Sequence, residues 1–139
     1  MTGAAAMSQD AAAGADAGAG ASIQTLRKRA QFLAAARARK QVAESMVVQA
    51  RDRRDGTRHV GVGVTCSRKV GNAVTRNRAK RRLRALAHEV LPLAGHPGWD
   101  YVLIGRPGVT VERPYGALRD DLRKSLARLH APRRPKAQQ

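Results

Sequence analysis

Cysteine is almost absent from this sequence of 139 residues, in which Cys66 is the single example. One cysteine excludes an intramolecular disulfide and a zinc site made of several thiolates. It also favours a reducing compartment, and we expect a cytoplasmic location. No apolar run approaches the roughly 20 residues that a membrane-spanning helix needs. The length fits one domain that can bury a core of its own.

Acidic residues are also scarce, with 10 Asp and Glu against 27 Lys and Arg, which gives a formal net charge of +17. An excess of this size does not determine a fold, but it limits the partners to polyanions such as nucleic acid or an anionic membrane surface.

Residues that could perform catalysis are not grouped in any recognisable motif. Asp120 and Asp121 are adjacent on a predicted helix, so they diverge, and we expect them to balance Arg119, Arg123 and Lys124. Cys66 is expected to be a small buried residue at a strand end. The four histidines lack metal-ligand spacing: His59, His88, His96 and His130. The sequence therefore predicts neither a catalytic residue nor a metal site in the protein.

Composition divides the chain into three parts. Residues 1–22 are rich in Ala and Gly and contain no Lys or Arg, so we predict a disordered leader. Residues 131–139 contain two prolines and no apolar periodicity, which predicts a flexible basic tail. The folded domain is expected over residues 23–130.

The pattern of this domain predicts an α/β (α+β) sandwich, a small sheet covered by helices, in the order α-β-β-α-β-α. Asp55-Gly56 is a strong signal for a hairpin between the first two strands. Asn72 is a candidate N-cap for the central helix, which we expect to end near Leu91 because Pro92 follows. The predicted elements are a helix at 24–36, strands at 45–51, 58–67 and 99–105, the central helix, and a closing helix containing Leu118, Leu122, Leu126 and Leu129.

The central helix carries the most informative segment, RNRAKRRLR at residues 76–84, in which six of nine residues are basic. At 100° per residue, its apolar positions form one stripe that we expect to pack on the sheet: Ala79, Leu83, Leu86 and Val90. A solvated surface helix is the ordinary interpretation of a charge run, but such helices mix both signs. The planar guanidinium group of arginine is suited to hydrogen-bond a phosphate, so nucleic-acid binding is the favoured interpretation. The helix lies between strands rather than in a helix-turn-helix, which favours contact with phosphates over base edges.

Residues 67–81, SRKVGNAVTRNRAKR, closely resemble the signature of the bacterial ribonuclease P protein subunit family. Residues 26–32, LRKRAQF, resemble the family's opening basic helix with its characteristic Phe. The strand WDYVLIGR and the closing Leu-rich helix follow in the family order. The resemblance covers about residues 23–130.

This resemblance implies a small mixed sheet like that of a ribosomal-protein domain, with a left-handed βαβ crossover. It also implies a role in removing the 5′ leader of precursor tRNA, with the chemistry performed by a catalytic RNA subunit and the Mg²⁺ ions that the RNA and substrate hold. The expected partners are that RNA and precursor tRNA, with no DNA and no membrane. The residues implied to contact the catalytic RNA are Arg68, Lys69, Asn72, Arg76, Asn77, Arg78, Lys80, Arg81, Arg82 and Arg84; those implied to contact the leader are Arg27, Lys28, Arg29, Phe32 and Arg37.

The leader cleft departs from the family pattern at two positions. Ala36 occupies a position where many relatives have a second Phe, and Gln49 or Ala50 replaces an aromatic residue on a strand. Phe32 itself is as well explained by core packing as by leader binding. Two other functions stay open: a general RNA-binding or ribosome-associated protein, and a protein nuclease that acts alone.

Overall fold

The computed structural model describes residues 21–131, which contain five strands and four α-helices. The strands are β1 (Ile23–Thr25), β2 (Arg39–Val42), β3 (Met46–Asp52), β4 (Val60–Thr65) and β5 (Trp99–Gly105). The helices are α1 (Arg29–Ala36), α2 (Ala73–Ala94), α3 (Val109–Glu112) and α4 (Tyr115–Leu129). A 3₁₀ turn, Arg68–Val70, precedes α2.

The five strands form one mixed sheet in the order β1-β4-β5-β3-β2. Strand β5 is central, parallel to β4 and antiparallel to β3. Strands β1 and β2 form the two edges, β1 parallel to β4 and β2 antiparallel to β3. Helix α2 is the crossover between the parallel neighbours β4 and β5. The predicted α+β class and the central position of residues 99–105 are confirmed, while the left-handed sense of the crossover stays a prediction.

Helices cover both faces of the sheet, because alternate side chains of each strand point in opposite directions. One face, carrying Val62, Tyr101 and Leu103, packs against α2 and α4 to form the main core. The opposite face carries Val102, which packs with Leu26 and Ala35 beneath α1 in a smaller cluster. The leucines predicted to form the inner side of the closing helix, Leu118, Leu122, Leu126 and Leu129, are all buried in the main core.

Three predictions about local structure are wrong. Residues 24 and 25 belong to β1 rather than to the first helix, and β2 was not predicted at all. Helix α2 continues past Pro92 to Ala94. A proline there removes only one backbone hydrogen bond, two residues before the helix ends. The chain still closes the helix, since the Gly95 N–H donates to the Leu91 carbonyl at 2.8 Å.

The hairpin predicted at Asp55-Gly56 is also wrong, because β5 lies between β3 and β4 in the sheet. The loop is held instead by Arg53, whose guanidinium bonds the buried Asp100 carboxylate at 2.7 Å. The same guanidinium donates to the Thr57 hydroxyl at 2.7 Å and to the His59 carbonyl at 2.6 Å. Side-chain hydrogen bonds therefore fix the loop between β3 and β4, for which the turn signal predicted the backbone pairing of a hairpin.

The fold begins slightly before the predicted boundary. The Ala21 N–H donates to the Pro92 carbonyl at 3.0 Å, and the Val60 N–H donates to the Ser22 carbonyl at 2.9 Å. Two residues of the predicted leader are thus attached to the domain. The rest of that leader, residues 1–20, and the predicted tail at 132–139 lie outside the described residues.

The end of α4 is joined to the loop before β5 by a network of rings. The Tyr101 hydroxyl accepts the His96 backbone N–H at 2.8 Å and lies 2.7 Å from Nε2 of His130. Burial raises the pKa of Tyr101 to about 12, so its hydroxyl keeps its proton at neutral pH. Burial, together with the proximity of His96 and of the Arg39 guanidinium, lowers the pKa of His130 to about 4. The neutral form of His130 is therefore the one built into the fold.

We expect the stability of the protein to depend on pH through His130. Its pKa is lower in the folded state than the usual 6.5, so the stabilising contribution is complete above about pH 6.5 and is lost as the pH falls toward 4. Between pH 7.5 and pH 5 this amounts to about 1 kcal/mol, after allowance for the partial exposure of the ring. Urea unfolding of the protein and of His130→Phe at both pH values measures it. An identical pH dependence in the two proteins would contradict the assignment.

Candidate nucleic-acid interface

The start of α2 is fixed by two caps in succession. The Ser67 hydroxyl accepts the Lys69 N–H at the 3₁₀ turn, and the Asn72 side-chain oxygen accepts the Thr75 N–H at 2.9 Å. Gly71 lies between them, and a Cβ there would be 2.9 Å from the Thr75 Cβ, which only glycine avoids. The predicted N-cap at Asn72 is confirmed, and the basic segment therefore begins in a defined orientation.

The buried stripe of α2 confirms the predicted helix face. Ala79, Leu83, Leu86 and Val90 are all at most 2% exposed in the main core. The opposite side of the helix presents Asn77, Arg78, Arg81 and Arg84 to solvent, while Arg76 and Lys80 are half-buried along one border of the stripe. Burial of the leucines holds the basic side chains outward.

Seven of the basic residues that the resemblance implies to contact the catalytic RNA have no acidic partner within residues 21–131. The ion pairs of that part of the chain involve Arg51, Arg53, Arg54, Arg113 and Arg119. We call the unpaired set the basic surface; it consists of Arg68, Lys69, Arg76, Arg78, Lys80, Arg81 and Arg84. Its charge is uncompensated by the described residues, as a surface that binds a polyanion requires.

Arg82 differs from its neighbours, because its guanidinium is used inside the protein. Its Nη1 donates to the Thr110 carbonyl at 3.0 Å and to the Val111 carbonyl, and its Nη2 donates to the Arg113 carbonyl at 2.7 Å. These are carbonyls at the end of α3, which would otherwise lack partners. Arg82 therefore anchors α3 to α2, and we leave it out of the basic surface.

The acidic residues of α4 are not paired as predicted. Asp121 forms an ion pair with Arg113 at 2.9 Å and accepts the Ser45 hydroxyl at 2.6 Å, which ties α4 to the turn between β2 and β3. Arg119 pairs with Glu89 of α2 rather than with Asp120 or Asp121. The sequence pattern favoured neighbours in the chain, whereas the contacts join different elements.

Cys66 lies at the end of β4, half-buried and close to Arg76, Lys80 and Arg84. Burial raises the pKa of its thiol more than the basic residues lower it. The neutral thiol is therefore the dominant form near pH 7, and a nucleophilic role is disfavoured. A Cβ on Gly105 would be 2.6 Å from its sulfur, so Cys66 fills the space beside that glycine.

A second candidate surface lies on the opposite face of the sheet, beside α1. Phe32 is half-buried there against Leu26, Ala35 and Val102. Its ring covers Gly63, where a Cβ would be 2.5 Å from the Phe32 Cε1. The bare strand face predicted from the glycines is thus occupied by an aromatic ring, and Phe32 serves the core while one side stays accessible.

Beyond Phe32 the α1 face of the sheet continues in a row of partly exposed residues, of which Ile104 packs against the cluster beneath α1. The register places Thr65, Ile104, Val47 and Val42 in one row across four strands. Val42 is 52% exposed, and the other three are half-buried. We call this row the apolar strip.

The register separates the two residues that were expected to stand in place of a strand aromatic. Gln49 pairs with Val102 and so lies on the α1 face, whereas Ala50 is buried in the main core. Ala36, in the position of the second Phe, is exposed.

The basic residues predicted to contact the leader surround α1. Arg27, Lys28, Arg29 and Arg37 are all exposed, and none forms an ion pair within the described part of the chain. The Gln31 side-chain oxygen accepts the backbone N–H groups of Arg27 and Lys28, each at 3.0 Å. This cap fixes the entry into α1 and leaves the cationic side chains free.

Among residues 21–131, no three His, Cys, Asp or Glu side chains are grouped so that they could hold a metal ion. No helix in that range has the length and apolar character needed to cross a membrane. Fold and site together define a class: a small α+β protein with an unpaired cationic helix on one side of its sheet and an aromatic ring beside an apolar strip on the other.

Comparison with known proteins identifies the family within this class. The family model described as Ribonuclease P matches residues 21–130. The ribonuclease P protein component of Ruegeria pomeroyi is 63% identical over 112 residues, covering 80% of this chain and 90% of that protein. The protein component of Caulobacter vibrioides is 46% identical over 109 residues, covering 78% and 72%.

Solved structures agree with this. The RNase P protein from Thermotoga maritima superimposes with a TM-score of 0.64 at 27% identity, covering 78% of this chain and 99% of that one. A Staphylococcus aureus RNase P protein, 22% identical with a TM-score of 0.57, supports the fold, covering 77% and 97%. The chain belongs to the ribonuclease P protein family and is a protein subunit of this tRNA-processing endoribonuclease, which implies an RNA partner.

We expect Gly63→Ala to destabilise the protein by about 1–3 kcal/mol, because the new Cβ must displace the packed ring of Phe32. Gly116→Ala is the matched control, since no atom lies within 4 Å of the position its Cβ would take, and its stability should be unchanged or higher. Urea unfolding measures both. In Gly63→Ala/Phe32→Ala the cost of the added methyl should largely disappear. An unchanged free energy of unfolding for Gly63→Ala alone would show that Phe32 is not fixed over the strand.

Proposed function

We propose that the basic surface docks the protein onto a catalytic RNA subunit. The observation that carries this proposal is the absence of acidic partners for its seven residues within residues 21–131. Eight acidic residues lie in that range, and several of them pair with other arginines. Arginine-rich helices of this kind contact phosphates and fix orientation rather than sequence. Asn77, exposed among these residues, adds a donor and an acceptor to the same face.

The second surface receives the 5′ leader of precursor tRNA. Phe32 offers a ring on which an unpaired base can stack, and such a contact is worth about 1–3 kcal/mol. The apolar strip continues this surface, and the exposed basic residues around α1 neutralise the leader phosphates. Because Gln49 and Ala36 replace two aromatic positions, stacking depends on one ring and the remaining contacts are electrostatic and apolar.

The chemistry of leader removal belongs to the RNA in this proposal. Cleavage of a phosphodiester by a protein needs convergent carboxylates that hold metal, or a general acid and base. The described residues provide neither, since Asp121 and Asp100 are bonded to arginines and the Cys66 thiol is neutral. Mg²⁺ held by the RNA and substrate would supply the activated nucleophile and stabilise the leaving group.

The contribution of the protein is therefore electrostatic and geometric. Two RNAs repel each other through their phosphates, and a cationic protein between them lowers that repulsion and releases counterions. The two surfaces lie on opposite faces of one rigid sheet, so binding on one side orients the substrate relative to the other. We place this activity in the cytoplasm, in keeping with a single reduced cysteine.

Removing two exposed members of the basic surface should flatten the salt dependence of binding to the catalytic RNA. For Arg78→Ala/Arg81→Ala we expect the slope of log K against log salt to fall in magnitude by about 1.5, since each phosphate contact contributes about 0.7–0.9. Arg123→Ala/Lys124→Ala is the matched control, because it removes two exposed charges from α4 and should leave the slope nearly unchanged. Filter binding from 50 to 400 mM salt measures both. Equal slopes for all three proteins would remove α2 from the interface.

The purified chain should not cleave precursor tRNA by itself in Mg²⁺, whereas addition of the catalytic RNA should give leader removal. The reconstituted enzyme should also bind precursor tRNA more tightly than mature tRNA, because only the precursor carries the leader. A gel assay of 5′-labelled precursor, with and without each component, tests these statements. Robust cleavage by the protein alone would establish a protein nuclease. Equal affinity for precursor and mature tRNA would favour a general RNA-binding protein.

A further inference from the structure

A cluster of rings at one end of the sheet has no part in the function proposed above. His96 and His130 stack with ring centroids 3.5 Å apart, and the Trp99 ring meets His130 edge-on at 4.5 Å. The Arg39 guanidinium lies 5.4 Å from the centroid of Trp99, within range of a cation–π contact. In a chain with only 3% aromatic residues, this concentration of rings is unusual. We call His96, Trp99 and His130 the ring platform.

The members of the ring platform differ in how they are held. His130 is fixed by the Tyr101 hydroxyl, and Trp99 is half-buried against the main core. His96 is exposed, and its ring makes no hydrogen bond with any described residue. Its backbone N–H donates to the Tyr101 hydroxyl and its carbonyl accepts the Trp99 N–H at 3.2 Å, so the ring itself is oriented by stacking on His130 and by the edge-type contact with Trp99. One face of His96 is covered by His130, while the other side of this exposed ring has no ring partner.

The surroundings of the ring platform are cationic. Arg39 donates through Nη1 to the Leu129 carbonyl at 2.7 Å, next to His130. Arg58 precedes His59, whose carbonyl accepts the Gly98 N–H, and Arg128 lies in the last turn of α4. All except Arg39 are exposed, and none forms an ion pair with a described residue. The acidic residues nearby, Asp52 and Asp55, are paired with Arg54 and Arg53. An exposed ring among unpaired basic side chains is a combination that binds single-stranded nucleic acid.

The ring platform is well separated from the basic surface. Trp99 begins β5, whereas Cys66, beside Arg76 and Lys80, contacts Gly105 at the other end of that strand. Seven residues of strand span about 20 Å. Trp99, which pairs with Asp52 of β3, lies two residues before Tyr101 in the same strand. The Trp99 side chain is therefore on the same face of the sheet as Tyr101, which is the face opposite Phe32. The ring platform therefore cannot contact the same ligand atoms as the basic surface or Phe32.

We propose that the ring platform is a separate RNA-contact site, at which an unpaired nucleobase stacks on His96 while the adjacent phosphates contact the surrounding arginines. The site extends the proposed function by a third point of attachment. The proposed function is needed only to say which RNA supplies the nucleotide. Binding itself can be tested without it, because stacking on an exposed ring requires no particular RNA fold.

Trp99 is the single tryptophan of the chain, so its fluorescence reports on the ring platform directly. We expect octaadenylate to quench this emission in a saturable manner. In His96→Ala the affinity measured by quenching should be at least about fivefold weaker, the loss that corresponds to one stacked base. His96→Phe should retain the affinity, since it keeps a flat ring. The fold should survive both changes, because the His96 ring is exposed and makes no hydrogen bond with the described residues.

Two further variants separate this site from the basic surface. Arg78→Ala/Arg81→Ala should still show the quench, and His88→Ala, which removes another exposed histidine, should bind like the unaltered protein. Absence of quenching by octaadenylate, or equal affinities for His96→Ala and the unaltered protein, would overturn the proposal. Leader removal by the reconstituted enzyme is read independently, so a failure of the ring platform is distinguishable from a failure of the proposed function.

Discussion

The structure depends on a balance along helix α2 between buried leucines and unpaired positive charge. Like charges at the i, i+4 spacing of Arg76, Lys80 and Arg84 cost a few tenths of a kcal/mol per pair. Burial of Leu83 and Leu86 contributes about 1.5–3 kcal/mol each. Packing on the sheet therefore outweighs repulsion, and the helix is stable without acidic partners. This imbalance lets the protein keep a concentrated and uncompensated cationic surface, which the proposed docking onto RNA requires.

Most carboxylates in the rest of the fold pair with arginines outside the basic surface and so leave its charge uncompensated. Asp100 is buried against Arg53, Asp121 joins Arg113 and Ser45, and Glu89, on α2 itself, binds Arg119 of α4. Each of these pairs connects separate elements, so the acidic residues serve architecture. Within the basic segment of α2, Arg82 has a similar structural role, because its guanidinium binds the last carbonyls of α3.

Features that arise from local periodicity were predictable from the sequence. The buried stripe of α2, the Asn72 cap, the central strand β5 and the leucines of α4 follow from apolar spacing and capping chemistry, and the signature at residues 67–81 led to the family. Features decided by distant contacts were not predictable. The short edge strands β1 and β2 have little apolar pattern of their own, and the insertion of β5 between β3 and β4 overrode the hairpin signal. The internal role of Arg82 and the gathering of His96, Trp99 and His130 depend on side chains far apart in sequence.

The order of strands in the sheet has a consequence for biosynthesis. Strand β5 is the last to leave the ribosome, yet it is the one that joins the β1–β4 pair to the β2–β3 pair. Until residue 105 is available, the nascent chain has two separate half-sheets, and α2 has no complete surface on which to bury its leucines. Such non-local pairing slows folding and prolongs exposure of strand edges. During that interval the arginine-rich segment is already synthesised, so nearby RNA encounters it before the domain has closed.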